Sequence, residues 1–178
     1  MKVLVILADG FEEIEAFTVI DVLRRGGVDV VTAGIVSSVV EGAHKIKTIA
    51  DKRLHDINTA HFKALILPGG DPGYKNLMNS QSVINLVKEF NEKKKYIAAI
   101  CAAPLVLAKA GVLEDKIATV YPGFESMLPR PRDAKVIVDH NIITAKSPAT
   151  AMLFALKLLE IFTNKKTARL INDKLGME

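Results

Sequence analysis

Tyr96-Ile97-Ala98-Ala99-Ile100-Cys101-Ala102-Ala103-Pro104 decides how this chain is read. A short apolar run ends in the only cysteine of the protein, small residues follow, and then a proline opens the helix-favouring Leu105-Val106-Leu107-Ala108-Lys109-Ala110. The order predicts strand, one-residue corner, helix. A nucleophile elbow has that layout, and its cramped backbone wants small neighbours, which Ala99 and Ala103 provide. Unpaired N–H groups at the helix start would favour a thiolate. The alternative reading is a buried structural cysteine.

Working outward, the N-terminal segment reads β-α-β. Lys2 to Ala8 is a continuous apolar run of strand length, and Asp9-Gly10 breaks it. Glu12 to Arg25 follows helical periodicity, with acids at its start and Arg24-Arg25 before Gly26-Gly27, the polarity that complements a helix dipole. Val28 to Ala33 is a second short strand. A right-handed crossover in a mostly parallel sheet follows. Further on, Ile46 to Ala50 reads as a strand or a hairpin partner of Ser37 to Val40. Lys63 to Leu67 is a strand ended by Pro68-Gly69-Gly70, and Asp71-Pro72-Gly73 a loop. Ser82 to Lys94 is an amphipathic helix with Val83, Leu86, Val87 and Phe90 on one face. Beyond the elbow, Ile117 to Val120 reads as a strand, and Lys135 to Val138 with Ile142 to Ala145 as a hairpin. Ser147-Pro148 opens a helix to Phe162, and a last helix spans about Lys166 to Leu175. With no repeat and no linker composition, residues 1–178 are expected to form one α/β domain.

Composition excludes several functions. One cysteine rules out an internal disulfide framework and suits a reducing cytoplasm. No stretch has the apolar length to span a bilayer, and the first apolar run, followed by Asp9, Glu12, Glu13 and Glu15, is not a secretory signal. The net charge of +4 invites a nucleic-acid partner, but the basic residues are scattered and not interleaved with aromatics, so none is expected. There is no Cys-x-x-Cys, no His-Glu-x-x-His and no dinucleotide fingerprint, so neither metal nor cofactor is expected.

Ligands of open parallel sheets bind outside the carboxyl ends of the strands. Those ends carry Asp9-Gly10, Gly69-Gly70, Cys101, Tyr121 and Ser147-Pro148. Gly69-Gly70 allows backbone N–H groups to approach a ligand closely, or is only a strand-to-loop turn. On a helical wheel Glu15 falls between Val19 and Val22, at the flank of the apolar face, where a carboxyl would have a raised pKa and could share a proton with a thiol. An ordinary surface acid is the competing reading. No histidine sits at a strand end: His44, His55 and His61 lie in the weakly patterned segment and His140 in the hairpin turn.

The loop with Glu15, Leu67-Pro68-Gly69-Gly70, Ala98 to Pro104, and Ser147-Pro148-Ala149-Thr150 together resemble the ThiJ/PfpI superfamily, in the branch of the Parkinson-disease protein deglycase and its bacterial relatives. The resemblance implies a flavodoxin-like (class I glutamine amidotransferase-like) three-layer sandwich and a homodimer. It implies a reactive Cys101 with protonated Glu15 hydrogen-bonded to its sulfur, and N–H groups of Gly70 and Ala102 as the pair that holds an oxyanion or oxidised sulfur. Gly69, Tyr121, Ser147, Pro148 and Arg25 are expected to line the pocket. The implied activity is a cofactor-independent glyoxalase or deglycase acting on small reactive carbonyls in oxidative and carbonyl stress. The alternatives are a redox sensor or stress chaperone that uses oxidation of Cys101, and an amidase or peptidase. Where many members of that family carry histidine, this chain has Tyr121, whose reference pKa near 10 makes it no substitute for a histidine base.

Overall fold

Five of the six residues of β1 (Lys2–Leu7) are buried, because the strand sits in the middle of the sheet with both faces covered. The structure, a computed structural model, describes residues 1–177. In chain order β1 is followed by α1 (Glu13–Arg25), β2 (Asp29–Gly34), β3 (Val39–Glu41), β4 (Lys47–Ile49), β5 (Lys52–Arg53), β6 (Ala64–Leu67), α2 (Gly73–Asn79), α3 (Gln81–Glu92), β7 (Tyr96–Ile100), α4 (Pro104–Lys109), β8 (Val136–Asp139), β9 (Ile142–Ala145), α5 (Ala151–Phe162) and α6 (Lys165–Lys174). The main sheet runs β5-β2-β1-β6-β7-β9-β8, parallel throughout except for the edge pair β8 and β9. β3 and β4 form a separate hairpin, Val39 opposite Ile49.

Strand order sets the layers. From β1 the chain moves to β2 on one side, whereas from β6 it moves to β7 on the other. Right-handed crossovers in opposite directions put their helices on opposite faces. Accordingly α1 packs with α5, and α5 with α6, on one face; α2, α3 and α4 pack together on the other. The result is a flavodoxin-like three-layer sandwich with the reversal of strand order between β1 and β6. The apolar face of α3, Val83, Leu86, Val87 and Phe90, is buried as the periodicity requires, at about 2 kcal/mol of transfer free energy per side chain.

Two sequence expectations differ from the fold. Residues 73–79 form the short helix α2, in a stretch for which the sequence predicts no element between the Asp71-Pro72-Gly73 loop and the helix from Ser82; its Gly-Tyr-Lys-Asn start has poor helix propensity, and burial of Tyr74 and Leu77 holds it instead. Residues 117–120 are not a ladder strand. Ala118 makes one isolated bridge with Pro131, and the neighbouring N–H groups are caught by side chains: Ile117 donates to Asp139 Oδ2 at 2.8 Å and Thr119 to the buried Thr144 Oγ1 at 3.0 Å. Side-chain acceptors thus do the work of a partner strand. No helix of the described residues is long and apolar enough to cross a membrane.

Candidate active site

Cys101 follows β7 with φ of +63°, the left-handed corner that an elbow demands. Its backbone is fixed on both sides. Its N–H donates to the Ala145 carbonyl at 2.9 Å, and its carbonyl accepts from the Tyr121 N–H at 2.8 Å. Register places Leu67 of β6 opposite Ala99 of β7, so Gly69 lies level with Cys101 just past the sheet edge. Both partners crowd Gly69: a Cβ there would stand 2.8 Å from Cys101 Cβ and 2.9 Å from Glu15 Oε2. Gly70, at φ of +93°, is pressed against the Gly10 to Glu12 backbone, where no side chain fits.

Glu15 sits in the first turn of α1 and is fully buried. Gly69 N–H donates to Glu15 Oε2 at 2.6 Å, whereas Oε1 has no hydrogen-bond partner. Burial raises the Glu15 carboxyl to about 7, despite the opposing hydrogen bonds from Gly69 and the Cys101 thiol. The helix-flank position predicted this burial; the surface reading of Glu15 does not hold.

Burial also pushes the Cys101 thiol up, and ionised Glu15 beside it pushes the same way by repulsion and as a hydrogen-bond acceptor. The N–H groups of Ala102 and Gly70 act in the other direction, favouring negative charge on sulfur. The low thiol pKa expected from the helix start is therefore corrected: α4 is only six residues long, and desolvation outweighs it. Both groups cannot be anionic at once. Once Glu15 ionises, the sulfur keeps its proton, while the N–H groups of Gly70 and Ala102 favour charge on it.

The other expected residues divide. Tyr121 adjoins Cys101 through its backbone and is 42% exposed. Ser147 and Pro148 begin two residues beyond the Ala145 carbonyl that anchors Cys101, and the Thr150 hydroxyl ties down the N–H and carbonyl of Ser147. Arg25 does not join the group in its own chain. It lies ten residues along α1 from Glu15, about 15 Å down the axis, and pairs with Asp21 at 2.7 Å. Among the described residues no histidine ring is a hydrogen-bond partner of Cys101. His140 is in the β8–β9 turn at the opposite sheet edge, and His55 pairs with Asp56. His44 lies 3.0 Å from Glu13 and 3.5 Å from Glu12, and the Glu12 N–H donates to the Gly69 carbonyl at 3.0 Å. Burial pushes the Glu13 carboxyl up, but hydrogen bonds from the His44 ring and from backbone N–H groups outweigh it and hold the group below its usual range.

Sequence reasoning missed Tyr74 and Phe124. The Phe124 ring lies 5.8 Å from Tyr74 and 6.5 Å from Tyr121, centroid to centroid, so three rings form one strip. No local pattern announces this, since the three come from separate segments. A cavity of about 410 Å³ at the ends of β1 and β2, lined by Leu7, Asp9, Ile35, Val40, Asn76 and Ser80, includes neither Cys101 nor Glu15.

Residues 1–161 match the pattern of the DJ-1/PfpI family. The chain belongs to that family. Among its DJ-1/PfpI relatives, Protein DJ-1 homolog A of Arabidopsis thaliana is 40% identical over 93% of this chain and 44% of its own length. The chain thus spans less than half of that longer relative. Glutathione-independent glyoxalase DJR-1.2 of Caenorhabditis elegans is 34% identical over 84% of this chain and 81% of its own, and a deglycase of Pyrococcus abyssi 33% identical over 83% and 91%. The solved structure of oxidized Toxoplasma gondii DJ-1 superposes with a TM-score of 0.95 at 36% identity, covering 99% of this chain and 98% of that one.

Proposed function

We propose that this DJ-1/PfpI protein is a cofactor-independent glyoxalase or deglycase that acts on methylglyoxal-type carbonyls or their early adducts, with Cys101 as nucleophile and Glu15 as proton shuttle. The observation that carries the reading is the fully buried Glu15 carboxyl, raised to about 7 by that burial and held by the Gly69 N–H at the strand end level with Cys101. A group that titrates near neutrality both gives and takes protons there. Cys101 sulfur adds to the aldehyde carbon and the carbonyl oxygen takes up the thiol proton, giving a hemithioacetal. Glu15 removes the proton from the sulfur-bearing carbon and returns one to the adjacent carbon, while the hemithioacetal hydroxyl gives up its proton and the ketone oxygen gains one, leaving a hydroxy thioester. Water then cleaves the C–S bond and releases the 2-hydroxy acid and the thiol. Overall one water is added, and no external oxidant or reductant is consumed. The relatives named as a glyoxalase and a deglycase support this substrate class. Lactate formation from methylglyoxal is expected to vanish in Cys101→Ala and in Glu15→Ala; turnover surviving in the cysteine variant would overturn the mechanism.

A second reading draws on the same donors. The Gly70 and Ala102 N–H groups suit an oxidised sulfur as well as an oxyanion, so peroxide would convert Cys101 to a sulfinate that signals stress. Intact mass after peroxide treatment tests it: a gain of two oxygens, absent from Cys101→Ser, is expected.

A homodimer of single-domain chains is also part of this proposal. Ile14 and Phe17 are exposed on α1, and the cross-strand pair Val39 and Ile49 is exposed on the hairpin, apolar surface that a second copy would cover. Light scattering should give twice the chain mass of 19.4 kDa. A lone free cysteine supports a cytoplasmic setting.

A further inference from the structure

The strip Tyr74–Phe124–Tyr121 has no part in the mechanism above, yet it is tied to the two loops that hold the reactive sulfur. Tyr74 is anchored by its N–H to the carbonyl of Gly70, the residue after the glycine packed against Cys101, at 2.8 Å. Tyr121 is anchored by its N–H to the Cys101 carbonyl at 2.8 Å, and Phe124 by its N–H to the Tyr121 carbonyl at 3.2 Å. The Phe124 ring bridges the two tyrosines at interplanar angles of 56° and 49°. Tyr74 is buried and Phe124 partly buried, while Tyr121 is 42% exposed at the end of the strip. Of the ten aromatic residues only Phe17 and Tyr121 are so exposed, and Tyr121 is the one whose backbone is bonded to that of the cysteine. An exposed ring held in place from behind by a second ring offers a preformed face or edge to a flat substituent. A methyl group makes little use of it.

We propose that this aromatic rim makes Cys101 selective for 2-oxoaldehydes and related carbonyl compounds that carry an aromatic ring next to the reacting carbonyl, with Tyr121 as the specificity-determining residue and Phe124 as its support. The inference rests on the reading of Cys101 as a nucleophile toward carbonyl compounds, and its test separates the two.

Turnover of phenylglyoxal and of methylglyoxal is measured in the wild type, Tyr121→Leu, Tyr121→Phe and Phe124→Leu. The ratio of kcat/KM values, phenylglyoxal over methylglyoxal, is expected to fall about fivefold in Tyr121→Leu, by less in Phe124→Leu, and to be kept in Tyr121→Phe. Intrinsic reactivity cancels between variants. A ratio that is the same in Tyr121→Leu as in the wild type overturns the proposal, as does an equal fall in Tyr121→Phe, which would assign the effect to the hydroxyl. The second readout needs no turnover: the rates at which phenacyl chloride and chloroacetone alkylate Cys101 are compared in the same proteins by intact mass. If no 2-hydroxy acid forms but the aryl-to-alkyl alkylation ratio drops in Tyr121→Leu, the rim stands and the glyoxalase reading falls. If turnover proceeds and neither ratio moves, the rim falls and the glyoxalase reading stands.

Discussion

Replacing Glu15 by glutamine removes one titration from the protein and little else, since the amide oxygen can still accept the Gly69 N–H. Burial raises the wild-type carboxyl from 4.5 to about 7, which makes the folded state hold that proton more tightly than the unfolded chain by about 3 kcal/mol. The sign follows from which state loses the proton first. Below the unfolded value both states are protonated, and Glu15 costs nothing. Between that value and about 7 the unfolded chain has released its proton while the folded chain keeps it, so stability falls as pH rises. Above the folded value the carboxylate is ionised in both states and the full cost remains. Glu15→Gln has no such fall. Urea unfolding of both proteins at steps from about pH 4 to about pH 8.5 reads the effect, because titrating groups that do not interact with Glu15 cancel in the difference. The stability of wild type relative to Glu15→Gln should drop by about 3 kcal/mol across that range, a change in relative midpoint of about 1.5 M urea. A flat difference curve would refute a buried, proton-holding Glu15, and a rising one would reverse the argument.

Removing the negative charge that Glu15 can carry should also free the thiol. Iodoacetamide is expected to alkylate Cys101 faster in Glu15→Gln than in wild type at about pH 8.5, because ionised Glu15 disfavours the thiolate; slower alkylation would contradict the coupling. Gly70→Ala places a Cβ 2.4 Å from the Glu12 nitrogen at a φ of +93°, so a loss of at least about 2 kcal/mol by urea unfolding is expected, with loss of turnover. Thr144→Val keeps the shape but strands the Thr119 N–H, and should cost about 1–3 kcal/mol in the same assay, whereas Thr144→Ser should recover most of it.

Much of the fold was legible because its signals are local. The apolar runs at Lys2, Lys63 and Tyr96, and the cap and stop residues around α1 and α5, predicted elements that the structure holds within a residue or three. Glu15 was legible for the same reason, since a helical wheel is enough to put it at the edge of a buried face. What failed depends on distant partners. α2 exists because Tyr74 and Leu77 find the core, not because its sequence favours a helix. The segment 117–120 has a strand's composition, but its hydrogen bonds go to Asp139 and Thr144, more than twenty residues away. Arg25 was expected at the pocket, yet a helix of thirteen residues carries its two ends too far apart for both to reach one strand edge. The thiol pKa failed because burial around Cys101 is a property of the assembled layers, and a helix start read from sequence carries no measure of it.

The pairing of α1 with α5 has a consequence for how the chain must be made and handled. During synthesis β1, α1 and β2 emerge first and can pair with one another, but the surface that covers Ala16, Val19 and Leu23 includes α5, which begins at Ala151. Until the residues of α5 have left the ribosome, that stripe of α1 lacks part of its cover. Fragments that end before Ala151 should therefore precipitate or be held by chaperones, and a fusion or tag is safer after α6 than inserted ahead of α5.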